Sequence, residues 1–184
     1  MMNNFKSIFE QHYTWIEGFM RNVRRYADKP AMIYPDRNKT WTYKELNKEC
    51  NRLANTLLTD GLKKGDVIMM QLLNCPEFVF AYIAAHKTHT INCPVSFRLS
   101  PGELAHNLSD SKPKVFFFDG KKKDDVIEAI KIAGWKPKYL IGIDSTSEDN
   151  IISYQDYIKE SKDEEPADIG IYNIYDETTR LYTS

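Results

Sequence analysis

Residues able to do chemistry are sparse in this 184-residue chain. His86 and His89 stand three apart near the end of an apolar segment, a spacing that can set two imidazoles on one helix face as metal ligands. No third ligand is evident beside them, and a surface or helix-end role is the preferred reading. His12 and His106 are isolated and fit helix faces. Cys93, next to Pro94, has no basic residue or paired histidine nearby in sequence to lower its thiol pKa, which argues against a nucleophile. Asp36, Asp66 and Asp119 flank strands in turn contexts, where aspartate is commonplace. Gly61 to Gly65 lacks the G-x-G-x-x-G spacing and precedes a strand, so it does not mark a dinucleotide site. The run Lys121-Lys122-Lys123 leads straight into Asp124-Asp125 and reads as a solvated helix start rather than an anion patch. Arg180 to Thr183 reads as a short strand of β-branched and aromatic residues, and the sequence closes on two hydroxyl side chains, Thr183 and Ser184.

The background composition narrows the function. Hydrophobic residues make up 42% and charged residues 28%, as in a globular protein with a core of ordinary size. A formal charge of -1 gives no drive towards nucleic acid or anionic lipid. The three cysteines, Cys50, Cys75 and Cys93, are scattered and form no C-x-x-C, which points to a reducing, cytoplasmic setting and away from a disulfide framework or a zinc site. The start, Met1 to Lys6, lacks the basic-then-apolar order of a signal peptide. The longest apolar run, Phe78 to Ala85, is far short of a bilayer span, so stable membrane insertion is not expected.

The elements that must position these residues follow from periodicity. From about Asn4 to Ala27, Ile8, His12, Trp15, Ile16, Phe19 and Val23 form the stripe of one amphipathic helix, expected to pack on the domain. Ala31 to Tyr34 and Lys39 to Trp41 read as two strands around the turn Pro35 to Asn38. Thr42 and Glu45 form a capping box for a helix that Gly61 stops. Strands at Asp66–Leu72, Thr90–Val95, Val115–Phe118 and Tyr139–Ile143 alternate with helices at Pro76–Lys87, from the Ser100–Glu103 capping box through Leu108, and at Asp124–Ala133. Unbroken apolar strands in such alternation predict an α/β fold with a mostly parallel sheet and helices on both faces. Ser145 to Ile174, polar and carrying the acidic run Asp163 to Glu165, reads as a long surface connection with one short helix at Tyr154 to Lys159.

Several phrases, in order, resemble the adenylate-forming, AMP-binding superfamily, and within it the acyl- and aryl-CoA synthetases. They are Ala27-Asp28-Lys29-Pro30-Ala31, Trp41 to Leu46 with Asn51-Arg52-Leu53-Ala54, Gly61 to Val67, Asn74 to Phe78, Pro94 to Pro101, and Tyr182-Thr183-Ser184. The stretch Ser96 to Pro101 favours a CoA synthetase over a peptide-synthetase adenylation domain. In that family the text after Thr-Ser continues with Gly-Thr-Thr-Gly and then Pro-Lys-Gly, which this sequence does not contain. One phrase departs: Lys87-Thr88-His89-Thr90 stands where the family has Lys, Ala, Gly and a small residue.

The resemblance implies an incomplete N-terminal subdomain of the adenylate-forming fold, with residues 1–27 a flanking helix and 28–184 a partial AMP-binding domain. It implies a parent ligase that joins a small carboxylic acid to ATP, with Mg²⁺ assisting, and passes the acyl group to CoA. Thr183 and Ser184 would then be the first phosphate-contacting hydroxyls, beside a loop whose backbone N–H groups hold the phosphates. No catalytic residue falls in this chain, so the piece alone is expected to be non-catalytic and to bind ATP, Mg²⁺ and CoA weakly or not at all. Two rivals remain: a free-standing α/β interaction module whose open sheet edge pairs with a partner or with itself, and an inactive product of a truncated gene.

Overall fold

The apolar runs of the sequence become a parallel sheet in the computed structural model, which describes residues 2–167 and 173–183. The chain opens with two helices, α1 (Met2–His12) and α2 (Trp15–Arg25). The single helix expected from about Asn4 to Ala27 is therefore broken at Tyr13 and Thr14. The cause is local: Thr14 has an extended backbone and its hydroxyl accepts from Glu17 N, so it caps a new helix. A hairpin follows, β1 (Pro30–Tyr34) and β2 (Lys39–Thr42), joined by a 3₁₀ turn that ends at Asn38 in the left-handed region.

Helix α3 (Tyr43–Thr59) starts at the predicted box, with Glu45 N donating to Thr42 Oγ1 and Thr42 N donating back to the Glu45 carboxylate. It ends where Gly61 takes φ +82° and Leu62 N reaches Leu57 O, the closing bond of a left-handed cap. Then come β3 (Val67–Gln71), α4 (Pro76–Lys87), β4 (Ile91–Pro94), α5 (Pro101–Ser111), β5 (Val115–Asp119), α6 (Lys123–Ala133) and β6 (Tyr139–Ile143). All strands of the main sheet run parallel, in the order β4-β3-β5-β6-β7, where β7 is Ile151–Ser153.

Side chains alternate across this sheet as strand geometry demands. Ile68, Met70, Val115 and Phe117 join a layer with α3 and α4, whereas Met69, Cys93, Phe116 and Phe118 join a layer with α5 and α6. Phe116, Phe117 and Phe118 are fully buried, each contributing about 2–3 kcal/mol of transfer free energy.

The expectation of a long surface connection from Ser145 to Ile174 is corrected by the strand β7, which with α7 (Tyr154–Ile158) buries Ile151, Tyr154 and Ile158. The helix expected at Tyr154 to Lys159 is this α7. A strand of three residues is too short for periodicity to stand out from polar neighbours. The acidic run is also tied down, not merely solvated. Lys48 Nζ donates to Asp163 at 2.8 Å, and Lys87 Nζ donates to Glu165 at 2.7 Å.

Candidate functional site

In open parallel sheets, ligands bind beyond the carboxyl ends of the strands, where neighbouring connections leave on opposite faces. Here β3 leads to α4 on one face, while β4 and β5 on either side of it lead to α5 and α6 on the other. The carboxyl edge of β3 is thus the switch point. Gln71 closes that strand fully buried, its Nε2 donating to Ser96 O at 3.3 Å beyond β4. Phe97 lies next to it in sequence, with Lys122 Nζ 5.3 Å from its ring centre. Asp119 at the end of β5 accepts from Lys121 N at 2.9 Å and so starts the next turn.

Further along this edge, Arg37 from the hairpin turn bonds Glu77 and lies 3.2 Å from Asp144. Glu77 is buried and its carboxylate raises the Arg37 pKa. A cavity of about 540 Å³ opens here, bounded in part by Glu77, Lys123, Ser145 and Tyr154. Two glycines keep it shaped: a Cβ on Gly142 would collide with the Ser145 side chain, and one on Gly120 would lie 3.0 Å from the Asp144 and Ile143 carbonyl oxygens.

The segment after residue 177 runs beside β4. Asn92 N donates to Thr178 O at 2.9 Å and Arg180 N donates to Asn92 O at 2.7 Å, a parallel bridge centred on Thr179. The expected strand at Arg180 to Thr183 is corrected accordingly: pairing stops at Arg180, and Leu181 to Thr183 are irregular. The next donor on β4 would be residue 94, and Pro94 has no N–H to give. Tyr182 turns onto α5, its hydroxyl donating to Asp110 at 2.6 Å. Burial, with Asp110 beside it, pushes the Tyr182 phenol up to about 12. Thr183 is exposed, and its side chain makes no hydrogen bond among the described residues. Ser184 lies outside the described residues.

Helix N-termini at the carboxyl edge are already served by the chain's own acids. Ser100 and Glu103 box the start of α5, and Glu77 sits in the first turn of α4. Among the described residues this edge thus offers an exposed hydroxyl at Thr183 and no cradle of successive unserved N–H groups.

The other candidates are placed as follows. His86 is buried, stacked on Trp15 at 4.7 Å and set edge-on to Tyr82 at 5.0 Å, while His89 occupies the following turn. His12 ends α1, and His106 on α5 faces the Tyr182 ring. Among the described residues no group of three or more His, Cys, Asp or Glu side chains could hold a metal ion. Burial pushes the Cys93 and Cys75 thiols up to about 11, opposite to a nucleophile's need. Asp66 is a turn residue, accepting from Lys63 N and Lys114 Nζ, each at 2.7 Å. Sequence reasoning missed Arg37, Gln71 and Glu77. The usable signal was a Gln closing an apolar strand and a Glu opening an apolar helix.

The profile of the AMP-binding enzyme family matches residues 19–182. The chain belongs to the AMP-binding enzyme family. A crotonobetaine/carnitine–CoA ligase of Citrobacter koseri is 29% identical over 155 residues, covering 77% of this chain and 28% of that ligase. The anthranilate CoA ligase AuaEII, solved with anthranoyl-AMP, superposes with a TM-score of 0.83 at 21% identity, over 92% of this chain and 32% of that one. The N-terminal domain of FACL13 from Mycobacterium tuberculosis gives 0.74 at 23% identity, over 92% and 41%. These two likenesses show the fold. This AMP-binding enzyme chain therefore spans about a quarter to two fifths of the relatives it matches. Among its described residues no helix is long and apolar enough to cross a membrane.

Proposed function

We propose that this chain is the N-terminal portion of an ATP-dependent acid–thiol ligase, and that it supplies scaffold and rim rather than catalytic groups. The observation that carries this is the family match over residues 19–182 on a sheet whose switch point lies at the carboxyl end of β3. Residues 28–184 are the partial AMP-binding domain, and residues 1–27 flank it. In the intact ligase ATP with Mg²⁺ supplies the phosphorus that a carboxylate attacks, and CoA supplies the accepting thiol. Within this chain Thr183 and Ser184 offer hydroxyl donors to phosphate oxygens, and Gln71 holds the loop after β4 through Ser96 O. Scattered free cysteines suit a reducing, cytoplasmic setting.

Carboxylate-dependent ATP–pyrophosphate exchange tests the reading. A longer protein that continues this chain should exchange with at least one acid from a panel of small carboxylates, betaine-type acids included. Thr183→Ala should slow that exchange by about tenfold, the loss of one phosphate-facing donor. The 184-residue polypeptide alone should show no exchange above background. Exchange by that polypeptide alone would refute the rim assignment.

A further inference from the structure

The opposite, amino-terminal edge of the sheet carries a second concave surface, of about 530 Å³, lined by Lys112, Lys114, Lys136, Lys138 and Arg180 with Asp66 as its one carboxylate. Its layout comes from a repeated phrase. Lys112-Pro113-Lys114 begins on the cap of α5, which is Lys112 itself, and Lys136-Pro137-Lys138 comes just after the Gly134 cap of α6. Strands β5 and β6 then pair in register from Val115 and Tyr139, so the two Lys-Pro-Lys turns lie side by side. Trp135 is fastened between them, its indole Nε1 donating to Pro113 O at 3.2 Å.

Local compensation accounts for only part of this charge. Lys114 pairs with Asp66 at 2.7 Å and Arg180 pairs with Glu177 at 2.9 Å. The carboxyl ends of α5 and α6 together amount to about one negative charge. Lys138 Nζ donates to Asp60 O at 3.1 Å, with the Asp60 charge also acting on it, so against five cations the surplus is about one to two. Lys112 and Lys136 are exposed and form no ion pair among the described residues, and Lys112 Nζ stands 5.8 Å from the Trp135 ring centre.

We propose that this cleft binds a multiply charged phosphate anion of small-molecule size, at a site separate from the carboxyl edge. The volume is that of a small-molecule pocket. Several compact ammonium groups converging on one concavity suit the dispersed oxygens of a polyphosphate. The proposal is independent of the ligase reading.

Inorganic tripolyphosphate is the probe, titrated into the chain by calorimetry and by the NMR shift of the Trp135 indole N–H. Saturable binding is expected that moves this resonance and weakens at least about fivefold between 50 and 300 mM NaCl. Lys112→Glu with Lys136→Glu should weaken it at least about tenfold. A control of equal charge change on the exposed Lys44 and Lys159, each to Glu, should stay within about twofold. If the first double variant does not fold, Lys112→Gln with Lys136→Gln is read by the same criterion of site-specific loss. Absence of saturable binding, equal loss in the cleft and control variants, or hexaglutamate binding as tightly as tripolyphosphate would each overturn the proposal.

Discussion

Lys87 shows how much one side chain can hold in place. Its side chain is 3% exposed, and Nζ donates to Glu165 at 2.7 Å, tying the segment after α7 to the end of α4. Glu165→Ala would leave an ammonium in the interior. Because Glu165 is itself half exposed, the expected loss is about 2 kcal/mol in urea unfolding, below the full cost for a buried pair. Adding Lys87→Met to that variant should recover most of it, and no recovery would show that Lys87 is not the source of the cost. His86 makes a pH prediction. Burial lowers its pKa from 6.5 to about 4, so between those values the unfolded chain holds the extra proton. Stability therefore falls as pH drops through that window, while above it His86 contributes no pH dependence. Replacing His86 by Phe should reduce the stability lost between pH 7 and pH 4.5 by about 2 kcal/mol. Identical pH sensitivity in the two proteins would contradict this.

At the scale of elements, the turn from α4 to β4 carries an unusual residue. His89 takes φ +54°, a region that glycine enters freely and other residues enter at a cost. His89→Val should cost about 2 kcal/mol, because a β-branched residue is strained there. His89→Gly should be the milder change, and the two unfolding midpoints compared directly decide it. Strand β6 offers a second test. Gly142→Ala drives a methyl into Ser145 and should cost about 2 kcal/mol by overpacking. Ser145→Gly in the same chain should restore part of that. These sites explain why the strands were legible and the tight corners were not. Val115 to Phe118 announces a strand covered on both faces by composition alone. The break at Thr14 depends on one hydroxyl turning back on Glu17 N, and the three-residue β7 depends on an edge to join.

For the whole molecule, the sheet leaves two margins. Among the described residues, only Asn92 is paired on the outer side of β4, with Thr178 and Arg180, and β7 is the last strand on the other side. Unpaired backbone at such margins invites a second strand. We expect light scattering to show the apparent mass of the 184-residue chain rising with concentration. A constant monomer mass would count against this. A longer protein whose added residues cover the margin beside β4 should show the rise less.

Sequence alone determined the alternation of strand and helix, both capping boxes, the parallel sheet and the family resemblance, because each rests on periodicity or on residues within one turn of each other. The polar stretch after Ser145 and the run up to Thr183 were decided only by tertiary structure. There the outcome turned on groups far apart in the chain: Lys87 meeting Glu165, Ile151 finding the edge of β6, and Pro94 withholding the N–H that would have carried the final ladder past Arg180. Local physics writes itself into adjacent residues, whereas a hydrogen bond given or refused between distant parts of the chain is settled only when the sheet assembles.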